Sequence, residues 1–206
     1  MRIRAYFLIG AFLFTVTSFS YTSDNKPDPI LTRHDKEEAE FFIIAERCDK
    51  FICHLNLPDC EGTFLADQWV ITAAHCAIFI HRKLKRGKKH FVIINGAEIE
   101  ADKVIMMHKK WKVDQADIAL IHLKKKPLDA LQAKLYTDED EVDKLVYMLG
   151  RGDKGNGLIG VNGNDGKQRG ATNRIEEATP IWLRWTFAHP DTKTKYLTEY
   201  EGISGP

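Results

Sequence analysis

His75 lies in the stretch WVITAAHC, between small residues and a cysteine and behind an apolar run. A histidine becomes a general base when it can take a proton from a hydroxyl or a thiol. It then needs an acid to fix its tautomer and to stabilise the imidazolium. Farther along, Asp117 opens the strongly apolar stretch DIALIHL. A carboxylate at the head of such a run is costly to bury unpaired, and a histidine ring N–H is a suitable partner. Most of the eight histidines are expected to be surface or packing residues. The pairing of His75 with Asp117, not the histidine alone, carries the chemical reading.

The four cysteines are Cys48, Cys53, Cys60 and Cys76. They allow three full pairings, and their spacing lacks the paired C-x-x-C of a zinc site. Cys60 and Cys76 flank an expected β-hairpin that ends at His75. A disulfide between them would tether the histidine loop to the neighbouring strand. Cys48 and Cys53 are close enough in sequence to close a short loop with each other; the alternative is a partner beyond Pro206.

The elements that must hold these residues are mostly strands. Short apolar runs recur between turn signals at Gly62–Ala66, Trp69–Thr72, His90–Asn95, Glu98–His108 and Asp117–Leu123. Asn95-Gly96 is a hairpin signal. Many short strands at such intervals predict an all-β barrel or sandwich. Before them, Asp35 can cap a helix starting at Lys36, with Ala39, Phe42, Ile43 and Arg47 at helical spacing. The stretch HRKLKRGKKH, His81 to His90, reads as a basic, solvated loop; it lacks the interleaved aromatics of a nucleic-acid platform. Leu145–Leu149 is a strand. Residues 150–170 are glycine-rich and read as turns and hairpin ends, with NGNDG at Asn162–Gly166 as a tight turn rather than a calcium loop. Pro180–Ala188 alternates aromatics as a strand does.

Composition is ordinary for a globular chain, 44% hydrophobic and 29% charged over 206 residues. Arg2 and Arg4 precede the uncharged run Ala5–Val16, followed by Ser18-Phe19-Ser20. That pattern is a secretory signal over residues 1–20, too short to span a bilayer. Its removal takes away two arginines and no acid, so the formal net charge of +1 turns slightly negative. No global field argues for nucleic acid or an anionic membrane. Residues 21–29, with Pro27 and Pro29, read as a pro-segment or linker. Export makes disulfides available.

The segments GTFLADQWVITAAHC and ADIALIHL, in this order, resemble the two signature segments of the trypsin-like (chymotrypsin-fold) serine proteases. The Cys60–Cys76 spacing also fits that family. The resemblance implies an all-β fold of two antiparallel six-stranded barrels with a short N-terminal helix. It divides the chain into an N-terminal barrel over 30–126 and a partial C-terminal barrel over 127–206, with the site in the cleft between them. It makes His75 the general base and then the general acid, and Asp117 the orienting carboxylate. The implied activity is a secreted or periplasmic endopeptidase that works through an acyl-serine, needs no cofactor or metal, and is a monomer. Its partners are peptide or protein substrates, with no nucleic acid and no stable membrane insertion.

The chain departs from the family pattern in several places. The motif that carries the nucleophile, G-D-S-G-G, would follow Pro206, with the serine three residues on. The oxyanion-hole amides would come from the same motif. The chain as given is therefore expected to be inactive on its own, with the second barrel incomplete. The alternative is an inactive homologue that acts as a binding protein. Ile30 stands near the family's activation position, but Pro29 precedes it and the usual glycines are missing. Glu61 and Arg151 replace the glycine and aromatic common at those points. Counting back from the expected nucleophile puts Ile203, with Ser204 beside it, at the base of the substrate pocket. An apolar residue there argues for a medium or large apolar side chain in the substrate rather than Lys or Arg.

Overall fold

The structure is a computed structural model. It describes residues 6–9, 12–14, 30–57, 60–107, 117–180 and 183–204. In chain order the elements are β1 (Tyr6–Ile9), β2 (Phe12–Phe14), β3 (Ile30–Thr32), α1 (Glu38–Cys48), a 3-10 turn (Asp49–Phe51), β4 (Ile52–His54), β5 (Glu61–Ala66), β6 (Trp69–Thr72) and α2 (Ala74–Lys85). There follow β7 (His90–Ile94), β8 (Ala97–Met106), β9 (Ala119–Leu123), β10 (Leu135–Tyr136), β11 (Leu145–Asn156), β12 (Gly160–Arg174), β13 (Glu177–Ala178), β14 (Leu183–Arg184) and β15 (Gly202–Ser204). Most of the expected signal and the whole pro-segment lie outside the described residues, as do His108, Trp182 and Pro206. The described parts of the signal, β1 and β2, pair with each other, and β1 pairs with β10.

Six strands close a barrel in the order β4-β5-β6-β9-β8-β7, within the compact unit Asp49–Lys134. Period-two alternation makes the barrel. β7 and β9 alternate buried and half-buried residues along their length. Their inward side chains, Val92, Ile94, Ile121 and Leu123, join Phe64, Val70 and Ile80 in one core. Each fully buried side chain of this size is worth about 1.5–3 kcal/mol. The β7–β8 hairpin turns at Asn95-Gly96, both at positive φ (49° and 77°). That is the primed turn which a twisted hairpin favours.

The largest difference from the sequence reading is α2. The stretch Ala74–Lys85, with His75 in its first turn, is a twelve-residue helix, not the end of a hairpin followed by a loop. Ala74, Cys76, Ala77 and Ile80 are its buried residues. Ala74 and Ala77 are small enough to bring the helix onto Ala119 of β9, and Val104 and Met106 of β8 pack against the three alanines. His81–Lys85, read as loop, are the last turns of this helix. The helix ends at Gly87 (φ 69°). There the Gly87 N–H bonds to the Leu84 carbonyl and the Lys88 N–H to the Lys83 carbonyl, a C-terminal cap that needs a left-handed residue.

The second unit gathers 30–48 with 135–204, β1 and β2. Residues 30–48, expected in the first barrel, group here because β3 hydrogen-bonds to β11 and β15. The sheet order is β12-β11-β3-β15, and β3 runs parallel to β11, where an all-antiparallel barrel was expected. Among the described residues this second sheet does not close.

α1 starts at Glu38, not Lys36. Asp35 does not cap it, because the Arg33 guanidinium holds that carboxylate with two bonds and draws its pKa down to about 2. Instead Glu40 accepts from the Glu37 N–H, as in a capping box. The buried face is Phe41, Ile44 and Ala45, while Ile43 is exposed. Phe41 and Ile44 pack on Met148 and Ala171.

The glycine-rich 150–170 is mostly ladder. β11 and β12 form a long hairpin with its turn at residues 157–159. The expected tight turn at Asn162–Gly166 is part of a bulge in β12, where pairing jumps from Asp153↔Asn164 to Arg151↔Gln168. Asn164 and Asp165 each accept a backbone N–H two residues on. Among the described residues of the strand expected over Pro180–Ala188, only the two of β14 are strand.

Candidate active site

β6 and β9 run antiparallel, with Thr72 opposite Ala119. The chain therefore leaves β6 beside the residues that enter β9. Thr72 is buried and donates from its hydroxyl to the Glu61 carbonyl, which anchors the strand end. Ala73 is extended at the N-cap, and its side chain cannot cap the helix. The first turn of a helix leaves N–H groups without partners. Asp117 satisfies two of them from the neighbouring strand entry. Its carbonyl accepts from the Ala74 N–H at 3.2 Å, and its carboxylate Oδ1 accepts from the His75 N–H at 2.9 Å.

The other carboxylate oxygen, Oδ2, lies 2.6 Å from Nδ1 of the His75 ring. One aspartate thus fixes both the backbone and the ring of His75. The Asp117 side chain is 1% exposed and the His75 side chain 31%. The acid is dry and the base is open on one side. Cys76, next to His75, is joined to Cys60 at the start of β5 by a disulfide. The expected His75–Asp117 contact and the Cys60–Cys76 bond are both present.

Among the described residues three other histidines lie beside acids, and none has this arrangement. His54 pairs with Glu61, His122 with Asp102 and His189 with Asp191, and the acid side chains there are 19%, 35% and 92% exposed. His90 is buried, with Nε2 2.6 Å from the Leu55 carbonyl, and burial lowers its pKa. It is a neutral packing histidine whose ring N–H donates to the main chain. Lys83 reaches its other nitrogen. Among the described residues no three His, Cys, Asp or Glu side chains converge as a metal site.

Cys53 is a free, fully buried thiol in the barrel core, so it does not close a loop with Cys48; burial pushes its pKa far up. Ile203 and Ser204 belong to β15, opposite Leu31 and Ile30 of β3. They are in the other compact unit from His75, and their side chains lie outside what is described. Ile30 itself is buried in β3.

The sequence reading missed that Asp117 caps a helix as well as orienting a ring. The signal was available: Ala74, Ala77 and Ile80 repeat at three-residue intervals, with Gly87 just past the last basic turn.

A family model described as Trypsin matches residues 46–173. Trypsin V-A of Rattus norvegicus is 44% identical over 71 residues, 32% of this chain and 27% of that protein. Anionic trypsin of Bos taurus is 38% identical over 68 residues, 31% of this chain and 27% of its own length. The chain thus matches little more than a quarter of these relatives. A solved structure titled as neuropsin, a serine protease expressed in the limbic system of mouse brain, covers 63% of this chain and 61% of its own, with a TM-score of 0.47 and 19% identity.

Proposed function

The chain belongs to the trypsin family, and on that premise we propose that it carries the general base and orienting acid of a secreted serine endopeptidase. The observation that carries the proposal is the double hold of Asp117 on His75 by a carboxylate shielded from water. With the Nδ1–H donated to Asp117, the lone pair sits on Nε2. His75 takes the hydroxyl proton of a serine as its Oγ bonds to the scissile carbonyl carbon. It then gives that proton to the leaving amine as the C–N bond breaks. A water loses a proton to Nε2 and attacks the acyl-enzyme, and the proton returns to Oγ. Asp117 stays ionised and stabilises the imidazolium formed in each half.

On the family pattern, the serine and the oxyanion amides belong to a G-D-S-G-G motif following Pro206. Ile203 would line the pocket base and favour an apolar side chain in the substrate. The Cys60–Cys76 disulfide supports an oxidising compartment, outside the cell or in a periplasm. The test is peptide hydrolysis by the protein expressed from its complete reading frame, with and without His75→Ala. The proposal expects cleavage that falls by about 10⁴-fold or more in the variant. Equal rates in the two proteins would overturn it. No cleavage of any peptide by the wild type would favour a binding homologue.

A further inference from the structure

Six cations and no acid lie between His81 and His90, in a chain whose formal net charge is +1. Cations in the last turn of a helix suit its dipole. That accounts for Arg82, Lys83 and Lys85 of α2, but not for Lys88 and Lys89 beyond the cap. Arg82, Lys85, Arg86, Lys88 and Lys89 are all exposed. Among the described residues no ion pair joins Arg82, Lys85, Arg86 or Lys88. Lys83 is used internally, against His90.

Two further observations turn this run into a surface. First, the run is held rigid. Ile80 buries the helix in the barrel core, and the paired backbone bonds at Gly87 fix the turn that carries Lys88. Arg82, Lys85 and Arg86 follow at intervals of three and four, so they share one helix face. Second, a basic run distant in sequence meets it. Glu100 of β8 takes Lys124 on one oxygen (2.8 Å) and Lys89 on the other (3.8 Å). Lys124 begins the exposed Lys124-Lys125-Lys126. Of the neighbouring acids on β8, Glu100 is shared between two lysines, Asp102 is engaged by His122, and Glu98, two residues before Glu100, is exposed. The balance stays strongly positive.

We propose that the C-terminal end of α2, with Lys88, Lys89 and the Lys124–Lys126 turn, is a docking surface for a linear sulfated polysaccharide. Charge complementarity calls for a polyanion. The run has no aromatic between His81 and His90 on which bases could stack, which disfavours single-stranded nucleic acid. The disulfide in the same unit fits an oxidising compartment, where sulfated glycans are found. A preformed main chain spares the cost of ordering the backbone on binding.

The test is binding of a heparin octasaccharide to the full-length protein at several salt concentrations. One variant carries Arg82→Ser, Lys85→Ser, Arg86→Ser and Lys88→Ser. A control of equal charge carries Arg47→Ser, Lys50→Ser, Lys134→Ser and Lys193→Ser, and circular dichroism checks that both are folded. The first variant is expected to bind at least about 30-fold more weakly, with the slope of log K against log salt lowered by about one for each cation that no longer meets a sulfate. The control is expected to bind as the wild type does. Equal weakening in both variants would reduce the effect to net charge and overturn the proposal. A DNA duplex of similar charge that binds as tightly as the octasaccharide would overturn it in favour of nucleic acid.

Discussion

Asp117 holds His75 at two points, the ring Nδ1 at 2.6 Å and the main-chain N–H at 2.9 Å. The same carboxylate therefore sets the tautomer of an imidazole and closes the open end of the helix that presents it. Position and tautomer of the ring are coupled through one side chain.

Asp117→Asn separates the two roles. An amide oxygen can still accept from the His75 N–H, but its NH₂ then faces Nδ1 and selects the wrong ring tautomer. On the proposed function, peptide hydrolysis by the protein expressed from its complete reading frame is expected to drop about 10⁴-fold with little change in stability. Asp117→Ala is expected to cost about 1–2 kcal/mol more, because the helix also loses its cap. Thermal melts of the two variants beside their kcat/KM values check this. Equal melting temperatures for Asn and Ala would contradict the capping role.

The Cys60–Cys76 disulfide closes a loop of sequence separation 16 that contains β5, β6 and the first turn of α2. Replacing both cysteines with alanine is expected to cost about 3 kcal/mol by loop entropy. Denaturant unfolding reads the loss. Hydrogen exchange should rise first at Ala74–Ala77, since that turn is tied to β5 through Cys76.

Much of this was legible in the sequence, for physical reasons. Strands of the barrel announce themselves because inward and outward residues alternate, and Asn95-Gly96 marks its hairpin because only such residues sit easily at positive φ. His75 and Asp117 were legible from their flanking motifs. The helix that carries His75 was not legible, nor was the basic surface at its end. Its buried residues are mostly small, so its apolar stripe is narrow, and its charges resemble those of a loop. The β11–β12 hairpin was hidden for the opposite reason. Its ladder is built by backbone groups, which glycines and asparagines supply as well as valines do. Asp35 was misread because a nearby arginine, not a helix end, claimed its carboxylate.

Gly62 on β5 tests the packing of the barrel next to the site. A Cβ there would meet Cγ1 of Val70 at 2.7 Å and the Ile71 carbonyl oxygen at 2.9 Å. The valine could turn, but the backbone of β6 could not move without shifting Thr72 and the entry to α2. Gly62→Ala is expected to lower stability by about 1–3 kcal/mol, measured by denaturant unfolding. An unchanged midpoint would contradict the register of β5 and β6.

Glu201 gives a pH dependence. It is 1% exposed, and its Oε2 has no hydrogen-bond partner among the described residues. Burial raises its pKa from 4.5 to about 7; a second acid, Glu176, adds to this, while the Ala188 backbone N–H and the Arg33 charge oppose it. The fold favours the protonated form. This contribution is complete below the unfolded pKa of 4.5 and is lost as pH rises through about 7. The loss is on the order of 3 kcal/mol at most. Asp35 and Asp165, held low by Arg33 and Arg169, act in the opposite sense and lose stability only as pH falls into the acid range. Melting temperature is thus expected to fall between about pH 5 and about pH 8.5 in the wild type and to stay flatter in Glu201→Gln. Parallel curves would contradict the assignment.

The most direct test of the central claim is covalent labelling of the protein from its complete reading frame with a fluorophosphonate, followed by peptide mapping. The account predicts one labelled serine, with the labelling rate reduced by at least about 10³-fold in His75→Ala. Labelling that proceeds equally fast without His75, or a native protein that takes no label, would contradict a catalytic role for the His75–Asp117 pair.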